Sequence, residues 1–352
     1  MTHSSIAPPV AGLALGAAAG WACSRLGTPI PWMLGPLLTL AVLRVAGANV
    51  SSMPGGRQAG QWIIGTSLSL YFTPHVVREV VGWWPLLLAG AVFSIALGYV
   101  AGLALARMAG IDRTTGIFAS VPGGAAEMSV LGERFGARVD RVAAAQSLRV
   151  VIVVVVVPMT YAILGVHGAD PYVPGTAAFS ADGFALLMAA TAAGGFAAKA
   201  LRVPNAFVLG SLAIAIPLTA AEINLSAMPP LASNAGQLLL GCALGARFER
   251  DFLRGAPRFV GAVAATVLGA IVLSAAFGWI SAEISALHPA TLVLGTAPGG
   301  IAEMCVTAKV LQLGVPLVTA FHVTRVVVLL LCTAPLFARL RAWRENNARR
   351  RR

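Results

Sequence analysis

The chain has 352 residues, of which 58% are hydrophobic and 11% charged, with a mean hydropathy of +0.82 and a net charge of +12. A soluble domain carries about 25% charged residues, so the composition excludes an ordinary water-soluble protein and points to an integral membrane protein. The basic excess is mostly Arg in short loops and in the tail 339–352. The positive-inside rule accounts for it, and no polar stretch is long enough for a soluble nucleic-acid-binding domain.

Apolar segments approach the ~20 residues that cross a bilayer. Residues 6–23 and 31–46 come first, then a short segment at 61–72, then 84–106 and 142–164. The second half supplies 184–200, 206–221, 234–248, 259–280 and 316–336. No Lys or Arg precedes Arg25, so 6–23 is expected to be a membrane segment rather than a signal peptide. Cys23, Cys242, Cys305 and Cys332 have no CxxC spacing and are expected to be buried thiols.

The most informative pattern is an internal echo. VPGGAAEMSV at 121–130 returns as APGGIAEMCV at 297–306, an offset of 176 that is half the chain length. Pro122, Gly123, Gly124, Glu127 and Arg149 meet Pro298, Gly299, Gly300, Glu303 and Arg325. Gly60, Gln61, Gly65, Leu68 and Phe72 recur as Gly236, Gln237, Gly241, Leu244 and Phe248, and at an offset of 175 Pro29, Leu34 and Gly35 recur as Pro204, Leu209 and Gly210. Two membrane repeats are expected, at 1–168 and 169–340, followed by a basic cytoplasmic tail at 341–352.

Loop charge sets the expected topology. The loops 167–182, 219–236 and 281–298 hold no Lys or Arg and are placed outside, while Lys199, Arg202, Arg247, Arg250, Arg254, Arg258 and the tail are placed inside. The tail reaches the inside only if the segment 291–313, broken at Pro298, dips in and returns. The expectation is therefore an all-α polytopic protein of two inverted repeats, each with about five transmembrane helices plus a re-entrant or broken PGG helix. Both termini are then cytoplasmic, with Arg25, Arg78 and Lys309 outside and Lys309 near the surface. Six plus six helices in parallel repeats is the alternative, because 61–72 has the length of a half-helix.

Pro122 and Pro298 each remove a backbone donor and break a helix, and the glycines after them permit tight turns and close backbone approach. Broken backbone at membrane depth survives only when buried in protein or lining a wet cavity. Glu127 and Glu303 either cap the helix that starts after each break or bind a cation or coupled proton, since intramembrane charges mark functional sites. Arg149 and Arg325 either pair with those glutamates or face an anionic substrate, for which the guanidinium fork is suited. Gln146 and His322 match one helical turn before the arginines and read as structural hydrogen-bonding groups or as secondary members of the site.

The doubled PGGxAEM with its downstream Arg, together with PxxxxLG and GQxxxGxxL, resembles the AbrB-type bacterial inner-membrane family, whose members carry two copies of a membrane domain. That family shares only its name with the soluble AbrB transition-state DNA-binding regulators. The resemblance covers about residues 6–340. It implies an inner-membrane location, and the family has been linked to regulation of gene expression and labelled an ammonia monooxygenase. The residues themselves favour a secondary transporter or exporter of a small solute working by alternating access, with H+ or Na+ as coupling-ion candidates. No Walker A sequence is present, and His3, His75, His167, His288 and His322 are scattered without metal-ligand spacing, so neither ATP hydrolysis, other enzyme activity, a metal nor a cofactor is expected. The expected partners are the lipid bilayer and a small solute, with no direct nucleic acid. A membrane-embedded regulator or sensor acting indirectly on gene expression is the alternative.

Overall fold

The computed structural model describes residues 7–168, 172–175, 178–248 and 256–331. Cys332 and the tail 339–352 lie outside the described residues, as do Arg250 and Arg254 and parts of the loop 167–182. Fifteen helices make up the described fold. The first eight are α1 (Ala7–Arg25), α2 (Pro31–Ala46), α3 (Gly56–Ser69), α4 (Pro74–Gly82), α5 (Trp84–Ala109), α6 (Arg113–Ser120), α7 (Ala125–Arg134) and α8 (Val139–Ile163). The others are α9 (Ala181–Ala200), α10 (Ala206–Ala220), α11 (Pro230–Gly245), α12 (Pro257–Ser285), α13 (Pro289–Thr296), α14 (Ile301–Val310) and α15 (Val315–Leu331).

Helices α5, α8, α9 and α12 are long and apolar enough to cross a membrane, and α2, α10 and α15 are shorter apolar helices. With this many apolar spans the chain is a multi-pass membrane protein. Large apolar side chains point outward along them, including Val92 and Val100 on α5 and Val272 and Trp279 on α12, as a lipid-facing surface requires. Among the described residues each segment expected from hydropathy is largely helical, 61–69 lie in a continuous helix, α3, and 332–336 lie outside the described residues. Helix α4 was not expected. Val76 and Val80 are its buried face, and Glu79 beside them accepts a hydrogen bond from Tyr172 at 2.6 Å.

Helices α3 and α11 cross at the centre. They run antiparallel, since Ser67 near the end of α3 meets Ser233 near the start of α11, 3.3 Å between hydroxyls. Small residues let the backbones approach: a β-carbon on Gly60 would lie 2.7 Å from the Gly236 carbonyl oxygen, and one on Gly65 3.0 Å from that of Val208 on α10. Gly241 on α11 meets the Met33 carbonyl of α2 in the same way. These recurring glycines are thus helix-crossing points. Trp32 packs over Gly20 and Phe207 over Gly195, again the same contact at an offset of 175.

Both PGG segments are helical hairpins whose ends meet. The Arg138 N–H donates to Thr115 Oγ1 at 2.8 Å, and the Gly314 N–H donates to Thr291 Oγ1 at 3.2 Å, the identical bond 176 residues on. The chain therefore enters and leaves each hairpin at one level.

Candidate functional site

Helix α6 ends at Ser120 and α7 starts at Ala125, with Pro122 in the break. The last carbonyls of a helix have no intrahelical donors, and here α8 supplies them. Arg149, 5% exposed, donates from Nη1 to the Val121 carbonyl at 3.1 Å and from Nη2 to that of Gly123 at 3.2 Å. Gln146 Nε2 donates to the Phe118 and Val121 carbonyls at 2.8 and 2.9 Å. On α15, Arg325, 4% exposed, donates to the carbonyls of Ala297 and Gly299 at 2.9 and 2.6 Å. His322 Nε2 lies 3.3 Å from the Leu294 carbonyl, which can only accept, so the ring proton sits on that nitrogen. Each arginine is the eleventh residue of its helix and places a cation at the negative end of a broken half-helix.

The glutamates sit at the third position of α7 and α14, where a carboxylate reaches back over the N-terminus. The space a β-carbon would need at Gly124 is filled by the Glu127 carboxylate, and at Gly300 by that of Glu303. At Gly123 and Gly299 it is filled by Met128 and Met304. Gly124 and Gly300 have φ of −68° and −83°. All four glycines make room for the motif's own Glu and Met, which corrects the tight-turn expectation.

No Glu–Arg ion pair forms among Glu127, Glu303, Arg149 and Arg325 in the described residues. The guanidinium forks are committed to carbonyls, and the carboxylates fold back over the glycine before their own helix. Guanidinium–carbonyl bonds stand in place of the expected pairing, with Glu303 still within electrostatic reach of both arginines.

The two hairpin breaks face one open cavity. Pro122, Gly123, Gly124, Gly299, Gly300, Glu303, Arg149 and Arg325 line it, so the structure brings the predicted residues of both halves together. Pro298 borders a separate, mostly apolar pocket shared with Pro122 and Arg149 and walled by α5 and α12. Glu127 does not line the main cavity. It is within electrostatic reach of Arg247, as are Arg57 and Glu303.

Sequence reasoning missed the mouth. Arg57, Gln61, Asn205 and Arg247 line it, with Gln61 Nε2 donating to Asn205 Oδ1 at 3.3 Å. Arg57 and Arg247 read as ordinary loop charges, and only the antiparallel crossing of α3 and α11 places them side by side. Asn205 holds the left-handed N-cap of α10 at φ 48°; its match Ile30 holds that of α2 at φ 42°, a strained conformation for a β-branched residue.

The opposite end of the crossing is sealed. The counterparts of Arg57, Asn205 and Arg247 are Ser233, Ile30 and Tyr71, all buried, whereas those three mouth residues are part-exposed; Gln61 and its counterpart Gln237 are both buried. Lys309 closes this end by donating to Ser67 Oγ at 2.8 Å and Ser233 Oγ at 3.2 Å, with its ammonium 6.0 Å from the Tyr71 ring centre. Lys309 is part-exposed, and α14 brings its ammonium onto the two serines. Its counterpart Glu133 is exposed.

Residues 32–342 match the family described as "Transition state regulatory protein AbrB". The chain is 26% identical over 360 residues to "Uncharacterized protein YhjN" of Bacillus subtilis (strain 168), which covers 92% of this chain and 91% of that one. It is 24% identical over 314 residues to "Putative regulator AbrB" of Escherichia coli (strain K12), which covers 88% of this chain and 90% of that one. With the family match spanning most of its length, this chain belongs to the membrane AbrB family.

Proposed function

We propose that this chain is a secondary transporter that moves a small solute across the bacterial inner membrane by alternating access. Its machinery would be two inverted repeats of about five transmembrane helices plus one PGG hairpin each. The reading rests on one observation: residues matched at offsets of 175 and 176 are part-exposed at one end of the central crossing and buried at the other. Inverted repeats supply such a pair of half-states, because exchanging the conformations of the two halves exchanges which end is open. Discontinuous helices at a shared cavity are the usual setting for substrate and coupling-ion sites. In this reading Glu127 and Glu303 are the groups for a coupled H+ or Na+, and no step needs an enzyme activity or a cofactor.

A sensor is the second reading, favoured by the regulator name of the Escherichia coli relative. The same cavity would then bind a ligand without passing it on, and any effect on gene expression would be indirect.

The two readings differ in sidedness. A single cysteine at Ala125, in a chain freed of Cys23, Cys242, Cys305 and Cys332, should react with a membrane-impermeant maleimide in right-side-out vesicles and also in inside-out vesicles. Reaction from one face alone under all ion and proton gradients would replace the transporter with the sensor.

A further inference from the structure

We infer that the cavity between the two hairpins is a binding site for a small organic anion, held by a carboxylate or phosphoryl group against Arg149 and Arg325. The inference rests on the transport reading in one respect: the solute carried must occupy this cavity. It is argued from the charge and satisfaction of the groups that line it.

Four guanidiniums line the cavity, those of Arg57, Arg149, Arg247 and Arg325, against the single carboxylate of Glu303. Counting Glu127, which reaches Arg247 electrostatically, two positive charges remain without a counter-ion. The two innermost arginines are more than nine-tenths buried, where an uncompensated charge is costly. Backbone carbonyls satisfy part of each fork but carry no net charge. The Nε–H of Arg149 and the Nε–H of Arg325 have no partner, and the two side chains interact electrostatically with each other and with Glu303. One anion between them would accept from both and relieve their repulsion.

The remaining lining fits the same class of ligand. The starts of α7 and α14, at Ala125 and Ile301, both border the cavity, each beneath its own folded-back glutamate. Asn205 accepts from Gln61 through its oxygen, which leaves its NH2 group to donate. Val150, Val208, Leu244 and Val326 form apolar wall that suits the carbon body of an organic ion and gives nothing to a bare inorganic one. Arginine is the side chain whose fork matches carboxylate and phosphate geometry.

The test uses charge as its variable, so the natural ligand need not be known. In the cysteine-free full-length chain carrying Ala125→Cys, modification rates are measured with anionic sulfonatoethyl and cationic trimethylammonioethyl methanethiosulfonate. Each rate is divided by that of the same reagent with free mercaptoethanol. The anionic reagent should be favoured by about tenfold or more, and Arg57→Gln with Arg247→Gln should bring the ratio close to one. Both substitutions fall on part-exposed mouth residues, so the fold is kept; Arg149→Lys, which retains charge but loses the fork, should weaken protection by added anions. Succinate and inorganic phosphate are the protecting probes: protection by succinate alone assigns a carboxylate, and by phosphate alone a phosphoryl group. Equal normalised rates, or no protection by either probe, would overturn the anion site and leave the transport reading standing. Failure of both reagents to react would remove the cavity, and both readings with it.

Discussion

Gly124 and Gly300 show what a motif residue is for at the finest scale, because their backbone is one any amino acid adopts. Only the folded-back carboxylate of Glu127 or Glu303 excludes a side chain there. Gly124→Ala should therefore destabilise by about 1–3 kcal/mol, as overpacking does, and lower the melting temperature of the detergent-solubilised protein. Adding Glu127→Ala should recover part of that loss, since residues that share space are coupled. Simple additivity in the double variant would mean that the carboxylate does not occupy the glycine's space. The residue types of this motif were legible in the sequence, because proline, paired glycines and an intramembrane carboxylate each restrict backbone or burial. Their partners were not. Arg149 has two plausible acceptors in any sequence reading, a carboxylate or the carbonyls bared by Pro122. The choice depends on α8 lying against the end of α6, which no local pattern encodes.

The helices themselves were largely legible, since hydropathy marks apolar segments and proline marks the hairpin breaks. The short amphipathic α4 escaped because a lipid-spanning criterion ignores it. Lys309, part-exposed just past the buried stretch Ile301–Ala308 of α14, brings its ammonium to Ser67 and Ser233, a meeting of α14 with α3 and α11 that no local pattern encodes. A hydrogen bond to a charged group contributes about 1.5–3 kcal/mol, so this contact is a substantial part of any seal at that end. In the inverted-repeat reading the counterpart of the sealed cluster is Glu133 over Arg57 and Arg247, a charge-complementary contact absent from the present conformation. Closing the mouth should bring those residues together. Oxidative cross-linking between Glu133→Cys and Arg247→Cys is expected to trap that state, and Lys309→Met should raise its yield by about tenfold, the effect of roughly 1.4 kcal/mol on an equilibrium. No cross-link in either background would rule out the exchange of gates between the two hairpins.

At the scale of the whole molecule, contacts across the crossing sort the chain ends into two groups. Arg57 starts α3, and Asn205, in the turn just after Lys199 and Arg202, bonds to Gln61 one turn further on. Arg247 lies just past the end of antiparallel α11, so it belongs to the same end. At the other end Gly175 N–H donates to the Leu70 carbonyl at 3.0 Å, next to Tyr71 and the Lys309 cluster. Helix α3 separates these groups by about 20 Å at 1.5 Å per residue. Basic residues concentrate at the first end, and the positive-inside rule places such an end in the cytoplasm. In the proposed topology the cavity mouth would open to the cytoplasm and the Lys309 cluster would face the periplasm. A phosphatase reporter fused after Gly175 should be active, since that enzyme folds only outside the cytoplasm. A fluorescent or galactosidase reporter at the C-terminus should be active too, because α15 starts at the Gly314–Thr291 hairpin closure, on the Lys309 side, and runs toward the arginine-rich end. A phosphatase-active C-terminus would require an even number of crossings in the second half. Parallel repeats would follow, and the exchange of open and sealed ends would lose its structural basis.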